Sequence, residues 1–233
     1  MSTNADILLE GSYLYYQKEV NFSQENFKLV HLPDSNHYHI YSEILSRLET
    51  GEFLKLLIRY EMTQSFTPSF LRIEKSIGNK YVMESFKYDL HSQELHYTFQ
   101  TPQATQEFKK PHSAKHYITS PAFATSSIFT LSRKFDATGR TPVTFVSSPN
   151  DWTYEGPPTD KMIWAEFKSR DLQDFKINNN TLSASHLLLY EQDSTHSIHE
   201  SPVEIFISKH YGIPYQLIHG DLKIVIKNLK KNT

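Results

Sequence analysis

The stretch from Pro202 to Leu229 limits what this chain can fold into more than any other. Val203-Glu204-Ile205-Phe206-Ile207-Ser208-Lys209 alternates apolar and polar for most of its length, the two-residue period of a half-buried strand. Gly212 and Pro214 interrupt it, Tyr215-Gln216-Leu217-Ile218-His219 resumes, and Gly220-Asp221 marks a second turn. Leu222 to Leu229 then closes the pattern as a third strand. Three β-branched runs separated by two turn signals describe an antiparallel meander.

The rest of the chain repeats the theme. Gly11 to Val20, Phe22 to Leu32, His37 to Ser42 and Leu54 to Met62 read as strands, although Ile44, Leu45 and Leu48 leave a helix open after the third. Phe70 to Lys75, Tyr81 to Tyr88 and Leu95 to Phe99 form a further meander turning at Gly78-Asn79 and near Asp89 to Gln93. Thr101 to His116, polar and poor in apolar residues, reads as a linker. Beyond it, Ala122 to Phe135 reads as a strand with a helical turn as the alternative start. Pro142 to Ser147, Met162 to Arg170, Leu172 to Ile177 and Ser185 to Tyr190 follow as strands. No long helix is predicted. The expected fold is all-β: antiparallel meanders forming an open or closed β-barrel of the LolA or lipocalin kind. The expected organisation is a first half over 7–100, a linker over 101–116 and a second half over 117–230, making one structural unit.

An internal duplication is one reading of this symmetry. At a constant offset, Pro68, Ile73, Lys75, Gly78 and Tyr81 match Pro202, Ile207, Lys209, Gly212 and Tyr215. Tyr60-Glu61 precedes the first set as Tyr190-Glu191 precedes the second. The alternative is that strands and turns draw on a small alphabet.

Composition excludes several function classes. The chain has no cysteine, so disulfides, thiolate metal sites, cysteine nucleophiles and a lipid-anchored cysteine are ruled out. With 24 basic against 26 acidic residues, it lacks the basic excess of a nucleic-acid binder. No run reaches the roughly 18 apolar residues of a membrane span. Met1 to Asp6 are small and polar, and Ile7-Leu8-Leu9 is too short for a signal-peptide core, so the chain as written is expected in the cytoplasm. With 15 Phe and 14 Tyr it is aromatic-rich, as strands and ligand pockets tend to be.

Thr125 to Arg133, the Gly139 turn, and Pro202-Val203-Glu204-Ile205-Phe206-Ile207-Ser208 with Pro214 and a final meander resemble the bacterial DUF3108 proteins. These are similar in turn to the incomplete β-barrels of the lipoprotein carriers LolA and LolB. The resemblance implies an open barrel with a hydrophobic concave face and a binding role. It also implies a periplasmic location if a leader was removed.

Motifs for chemistry are sparse. His37-x-His39 places two imidazoles on one side of a strand but offers no third ligand. His196-x-x-His199-Glu200 lies in a polar loop and lacks the helix of an HExxH site. Lys115-His116-Tyr117 and Lys209-His210-Tyr211 share three residues outside the repeat offset. Ser183-Ala184-Ser185-His186 lacks the Gly-x-Ser-x-Gly frame. With 7 glycines, no phosphate cradle is visible. Asp171 with Asp174, and Asp151 with Glu155, read as capping or solvated carboxylates.

The candidate ligand-binding residues are therefore apolar and aromatic: Tyr38 near the paired histidines, Leu56, Ile58 and Tyr60 on one strand face, Trp152 and Tyr154 on a Pro-rich loop, and Leu217. Trp152 and Tyr154 can form a lid over an apolar opening or pack beneath their loop. The same aliphatic residues line a cavity or fill a closed core. The expected partner is a hydrophobic small molecule or lipid, with no cofactor, no metal and no nucleic acid. The alternatives are a barrel enzyme using His39, His186 or His219 for acid–base work on a hydrophobic substrate, or an interaction module pairing through a strand edge.

Overall fold

A computed structural model describes residues 5–112, 116–132, 134–135, 139–177, 180–191, 201–209 and 211–232. The first half runs β1 (Asp6–Gln17), β2 (Val20–Leu32), β3 (His37–Arg47), β4 (Phe53–Met62), β5 (Pro68–Ile77), β6 (Lys80–Asp89), β7 (Glu94–Gln100) and β8 (Thr105–Pro111). A short strand β9 (Tyr117–Ile118), a 3-10 turn (Phe123–Thr125) and a four-residue helix α1 (Phe129–Ser132) follow. The second half continues with β10 (Thr141–Ser147), β11 (Thr159–Ile177), β12 (Asn180–Glu191), β13 (Val203–Ser208), β14 (Pro214–His219) and β15 (Leu222–Lys231).

The strands make one sheet of 15, ordered β8 to β1 and then β15 back to β9. Every neighbouring pair is antiparallel except β9 with β10. The expected all-β fold is the observed one, and the sheet does not close. Its seam joins the first strand to the last, with Tyr13 opposite Ile226 and Tyr15 opposite Ile224. Gly11 sits on this seam, and a Cβ there would lie 2.6 Å from the Asn228 carbonyl and 2.9 Å from the Phe27 ring. Only glycine lets the two strands approach this closely.

The two-residue period puts alternate side chains on opposite faces. One inward row crosses seven strands in register: Leu9, Leu29, Ile40, Tyr60, Leu71, Phe86 and Tyr97. All seven are buried. At about 1.5–3 kcal/mol for each fully buried large apolar side chain, such rows are the main stabilising term of the sheet. A second cluster in the other half gathers Val143, Ala165, Leu187, Ile205 and Ile207 around Tyr117 and Phe129.

The repeated motifs fall on strands eight apart in chain order. Tyr60-Glu61 lies one residue before the end of β4 and Tyr190-Glu191 ends β12, while Ile73 and Ile207 are buried on β5 and β13. Gly78 and Gly212 turn the chain after β5 and β13 with φ of 53° and 61°, conformations that glycine adopts without strain.

Three expectations differ from the structure. The stretch 101–116, read as a linker, carries β8. Being the outermost strand, β8 needs little apolar surface, and only Phe108 packs on the core, so its polarity imitates a loop. Met162 to Arg170 and Leu172 to Ile177 belong to the single strand β11, whose register slips between Phe167 and Gln173. Ala122 to Phe135, read as a strand, contains the 3-10 turn and α1. The part from Ala122 to Phe129 is enclosed, with Ala122, Phe123, Ala124, Ile128 and Phe129 all buried, so no two-residue period is imposed on it. It crosses the interior between the halves. The Tyr60 hydroxyl bonds to the backbone of Ile118, and Ser127 Oγ donates to the Gly212 carbonyl at 2.5 Å.

Candidate binding groove on the outer face

The residues that alternate with the inward rows of β2 to β5 form the outer wall of the first half. Two rows cross it in register. Lys28, Tyr41, Arg59 and Arg72 make one, and Asn26, Glu43, Leu57 and Glu74 make the other. Together they line a groove of about 560 Å³, floored by the backbone of Phe27, Ser42 and Ile58. Tyr41 and Leu57 are 39% and 40% exposed, so the groove offers an apolar strip at its centre.

Its charges are ordered by carboxylates on the same strands. Arg59 Nε lies 2.6 Å from Glu61 Oε1, and its guanidinium sits 5.9 Å from the Phe70 ring centre. Arg72 Nε is 2.9 Å from Glu74 Oε1 but lacks the alignment of a hydrogen bond. Glu74 also accepts from the Tyr81 hydroxyl at 3.1 Å. Lys55 Nζ takes Glu43 at 2.6 Å. Among the described residues Lys28 makes no ion pair within 4.0 Å.

Beside the groove, Tyr41 OH lies 3.1 Å from His39 Nδ1, and His39 Nε2 is 3.8 Å from Glu61 Oε2. Burial holds the His39 imidazole below its ordinary range; Arg59 and His37 push the same way and Glu61 opposes them. A neutral imidazole next to a half-exposed phenol can accept its proton.

Two further places carry polar or aromatic clusters. At one end of the barrel, Glu84 is 3.1 Å from Lys75 Nζ and accepts from Tyr97 OH at 2.7 Å. Asn150 Nδ2 donates to Tyr97 OH at 2.6 Å, and Asn150 Oδ1 accepts from the amides of Glu155 and Gly156. The loop between β10 and β11 is thereby drawn across from the second half, and a recess of about 340 Å³ lies between it and β6. Elsewhere, Tyr38 stacks on Phe66 at 4.7 Å and meets His31 and Tyr211 at 4.9 and 6.4 Å. Phe66 and Tyr211 have φ of 58° and 55°, costly for bulky side chains.

The expected ligand-binding residues are not gathered in one place. Leu56, Ile58 and Tyr60 are buried in the first-half core. Trp152 packs partly buried on that core and also borders the smaller recess. Tyr154 is 38% exposed with its ring 6.0 Å from Phe99. Leu217 touches both apolar clusters, and Tyr38 joins the stack just described. Only Ile58 reaches the outer groove, from beneath. Sequence reading did not single out Lys28, Tyr41, Leu57, Arg59 or Arg72. The signal present was an arginine or aromatic in phase with the polar face of adjacent strands, visible only once register is known.

The histidines named for acid–base work lie on β3, β12 and β14. His186 stacks on Phe206 at 4.4 Å and meets Glu204 Oε2 at 2.9 Å, while His219 is exposed. His196, His199, Glu200, Lys115 and His210 lie outside the described residues. Among the described residues, no three of His, Asp and Glu are grouped to hold a metal ion. None of their helices is long and apolar enough to cross a membrane.

No protein-family profile and no curated protein matches the sequence. Among solved structures, the chain is similar to a β-barrel-like protein of the domain of unknown function DUF1849 from Brucella abortus. The TM-score is 0.61 at 8% identity, over 97% of this chain and 98% of that one. It is also similar to a DUF1089 family protein from Pseudomonas aeruginosa, at TM-score 0.52 and 11% identity over 84% and 89% of the two chains. At these identities the likeness is one of fold. These structures support a β-barrel-like fold, under the descriptions DUF1849 and DUF1089 and not the DUF3108 of the sequence resemblance.

Proposed function

We propose that this protein is a non-enzymatic binding protein for a small molecule with an apolar body, held in the outer groove of β2 to β5. The observation that carries this reading is the exposure of Tyr41 and Leu57 at the centre of the groove, whose other outward side chains are Asn26 and charged residues. The sequence reading favours an apolar ligand or acyl chain inside a barrel, and the resemblance to DUF3108 and the lipoprotein carriers supports a binding role. The interior, however, already holds the buried side chains of Tyr117, Ile118, Phe123, Ile128 and Phe129 and their aromatic partners, which favours the outer wall as the seat. Titrating an aliphatic ligand of about eight carbons into the protein tests the reading by calorimetry. Saturable binding that Leu57→Asp weakens about tenfold or more supports it; binding indifferent to Leu57→Asp rejects it.

A second reading rests on the line Tyr41–His39–Glu61. A buried neutral imidazole bonded to a half-exposed phenol is an arrangement suited to activating that hydroxyl. Hydrolysis of a chromogenic ester that is lost in both His39→Gln and Tyr41→Phe would favour an enzyme over a binding protein.

A further inference from the structure

Arg59 and Arg72 stand directly opposite one another on adjacent strands, facing outward. Like charges opposed in this way destabilise a sheet. Lys28 continues the same row two strands away, with Tyr41 between. Three cations and one phenol therefore share a line across four strands, which at about 4.8 Å per strand spans roughly 14 Å. In the adjoining row Leu57 is the apolar member.

Carboxylates lie beside both arginines of this row, yet the groove lining holds three cations, Lys28, Arg59 and Arg72, against two carboxylates, Glu43 and Glu74. Glu61 and Glu74 each sit two residues along the strand from their arginine and meet it at Nε. Glu74 is shared with the Tyr81 hydroxyl, and the Arg72 Nε–H is left without a hydrogen-bonded acceptor among the described residues. Glu43, the other acid of the groove, is taken by Lys55. Both guanidinium groups face the groove, and arginine matches carboxylate and phosphate geometry with paired donors.

We infer that the groove is built for an amphiphilic oxoanion. Its phosphate or carboxylate lies on Arg59 and Arg72 with Lys28 at the far end of the row, and its apolar body lies along Tyr41 and Leu57. This rests on the groove being the binding seat and adds the chemistry of the head group. The Tyr41 ring, tied through its hydroxyl to His39, stands within the same row.

Octyl phosphate, octanol, octyltrimethylammonium and inorganic phosphate, each titrated into the full chain below micelle-forming concentrations, test it by calorimetry. The expected order is octyl phosphate tightest, octanol about tenfold or more weaker, and the ammonium weakest. In an Arg59→Gln/Arg72→Gln double variant, with folding checked by circular dichroism, octyl phosphate should fall to the level of octanol while octanol is unchanged. Equal affinity for octanol and octyl phosphate overturns the oxoanion assignment and leaves the groove reading standing. Binding of inorganic phosphate as tight as that of octyl phosphate removes the apolar strip from the site. Absence of binding by all four compounds overturns both.

Discussion

Glu25 on β2 and Glu84 on β6 are both buried, at 0% and 2% exposure, yet they are satisfied in opposite ways. Glu84 lies near an end of the barrel, where Lys75 can approach it while keeping part of its stem in solvent. Glu25 meets only neutral donors. Tyr15 OH and the Phe123 amide bond to its Oε2 at 2.5 and 2.8 Å; Ser42 Oγ and the Ala124 amide bond to its Oε1 at 2.7 and 3.3 Å. Burial raises the Glu25 carboxyl above its ordinary range, against the pull of those four bonds. Each carboxylate ties a non-sheet segment to the first half. Glu84, through Tyr97 and Asn150, holds the loop before β11, and Glu25 holds the 3-10 turn inside the barrel. The contrast shows two ways to satisfy a buried carboxylate: a cation whose stem keeps some contact with water, or hydrogen bonds alone.

The largest effect in this comparison is expected from Lys75→Met. It leaves Glu84 buried without its cation and should cost about 3–5 kcal/mol in urea denaturation. A cost below about 1 kcal/mol would show that Glu84 behaves as Glu25 does, and the contrast would collapse.

Glu25→Gln comes next. The amide turns one acceptor into a donor facing donors, a cost of about 1–3 kcal/mol. Its pH dependence carries a definite sign. Because the folded carboxyl is raised, its contribution is fully present below the unfolded value of about 4.3 and is lost as pH rises through the folded value. The stability advantage of wild type over Glu25→Gln should therefore shrink as pH increases from about 4. A gap that widens with pH would mean that the four hydrogen bonds outweigh burial.

The smallest effects separate the two tyrosines. Tyr15→Phe removes one of four donors to Glu25 and should cost about 0.5–1.5 kcal/mol. Tyr97→Phe removes a donor to Glu84 and also the acceptor for Asn150, so it should loosen the loop over 148–158. Faster limited proteolysis within that loop, seen in Tyr97→Phe and not in Tyr15→Phe, is the expected mark.

Much of the fold was legible in the sequence because a half-buried strand writes its own period. Val203 to Ser208 and Leu54 to Met62 need no tertiary information to be read as strands, and the turns at Gly78 and Gly220 announce themselves. Where the environment departs from half-buried, the pattern fails. β8 at the open edge resembles a linker, and Ala122 to Phe129, enclosed by barrel walls, resembles a strand. Glu25 and Lys75 were also in view, as polar residues in phase with Phe27 and Ile73. The two-residue rule alone does not say whether such a residue is solvated or buried and bonded.

The candidate site was less legible for a related reason. Leu56, Ile58 and Tyr60 read as lining because they are apolar and in phase, properties that a cavity wall and a filled core share. The distinction depends on what stands opposite, and here it is a segment some sixty residues away in sequence. Arg59, Arg72, Tyr41 and Lys28 are scattered over three hairpins and acquire meaning only as a row. Strand identity, turn positions and the exclusion of thiol chemistry were determined by the sequence itself, since local periodicity and composition carry them. The pairing of β1 with β15, the filled interior and the charged groove were decided only by the tertiary structure. Register and enclosure are relations between distant segments, and no local pattern encodes them.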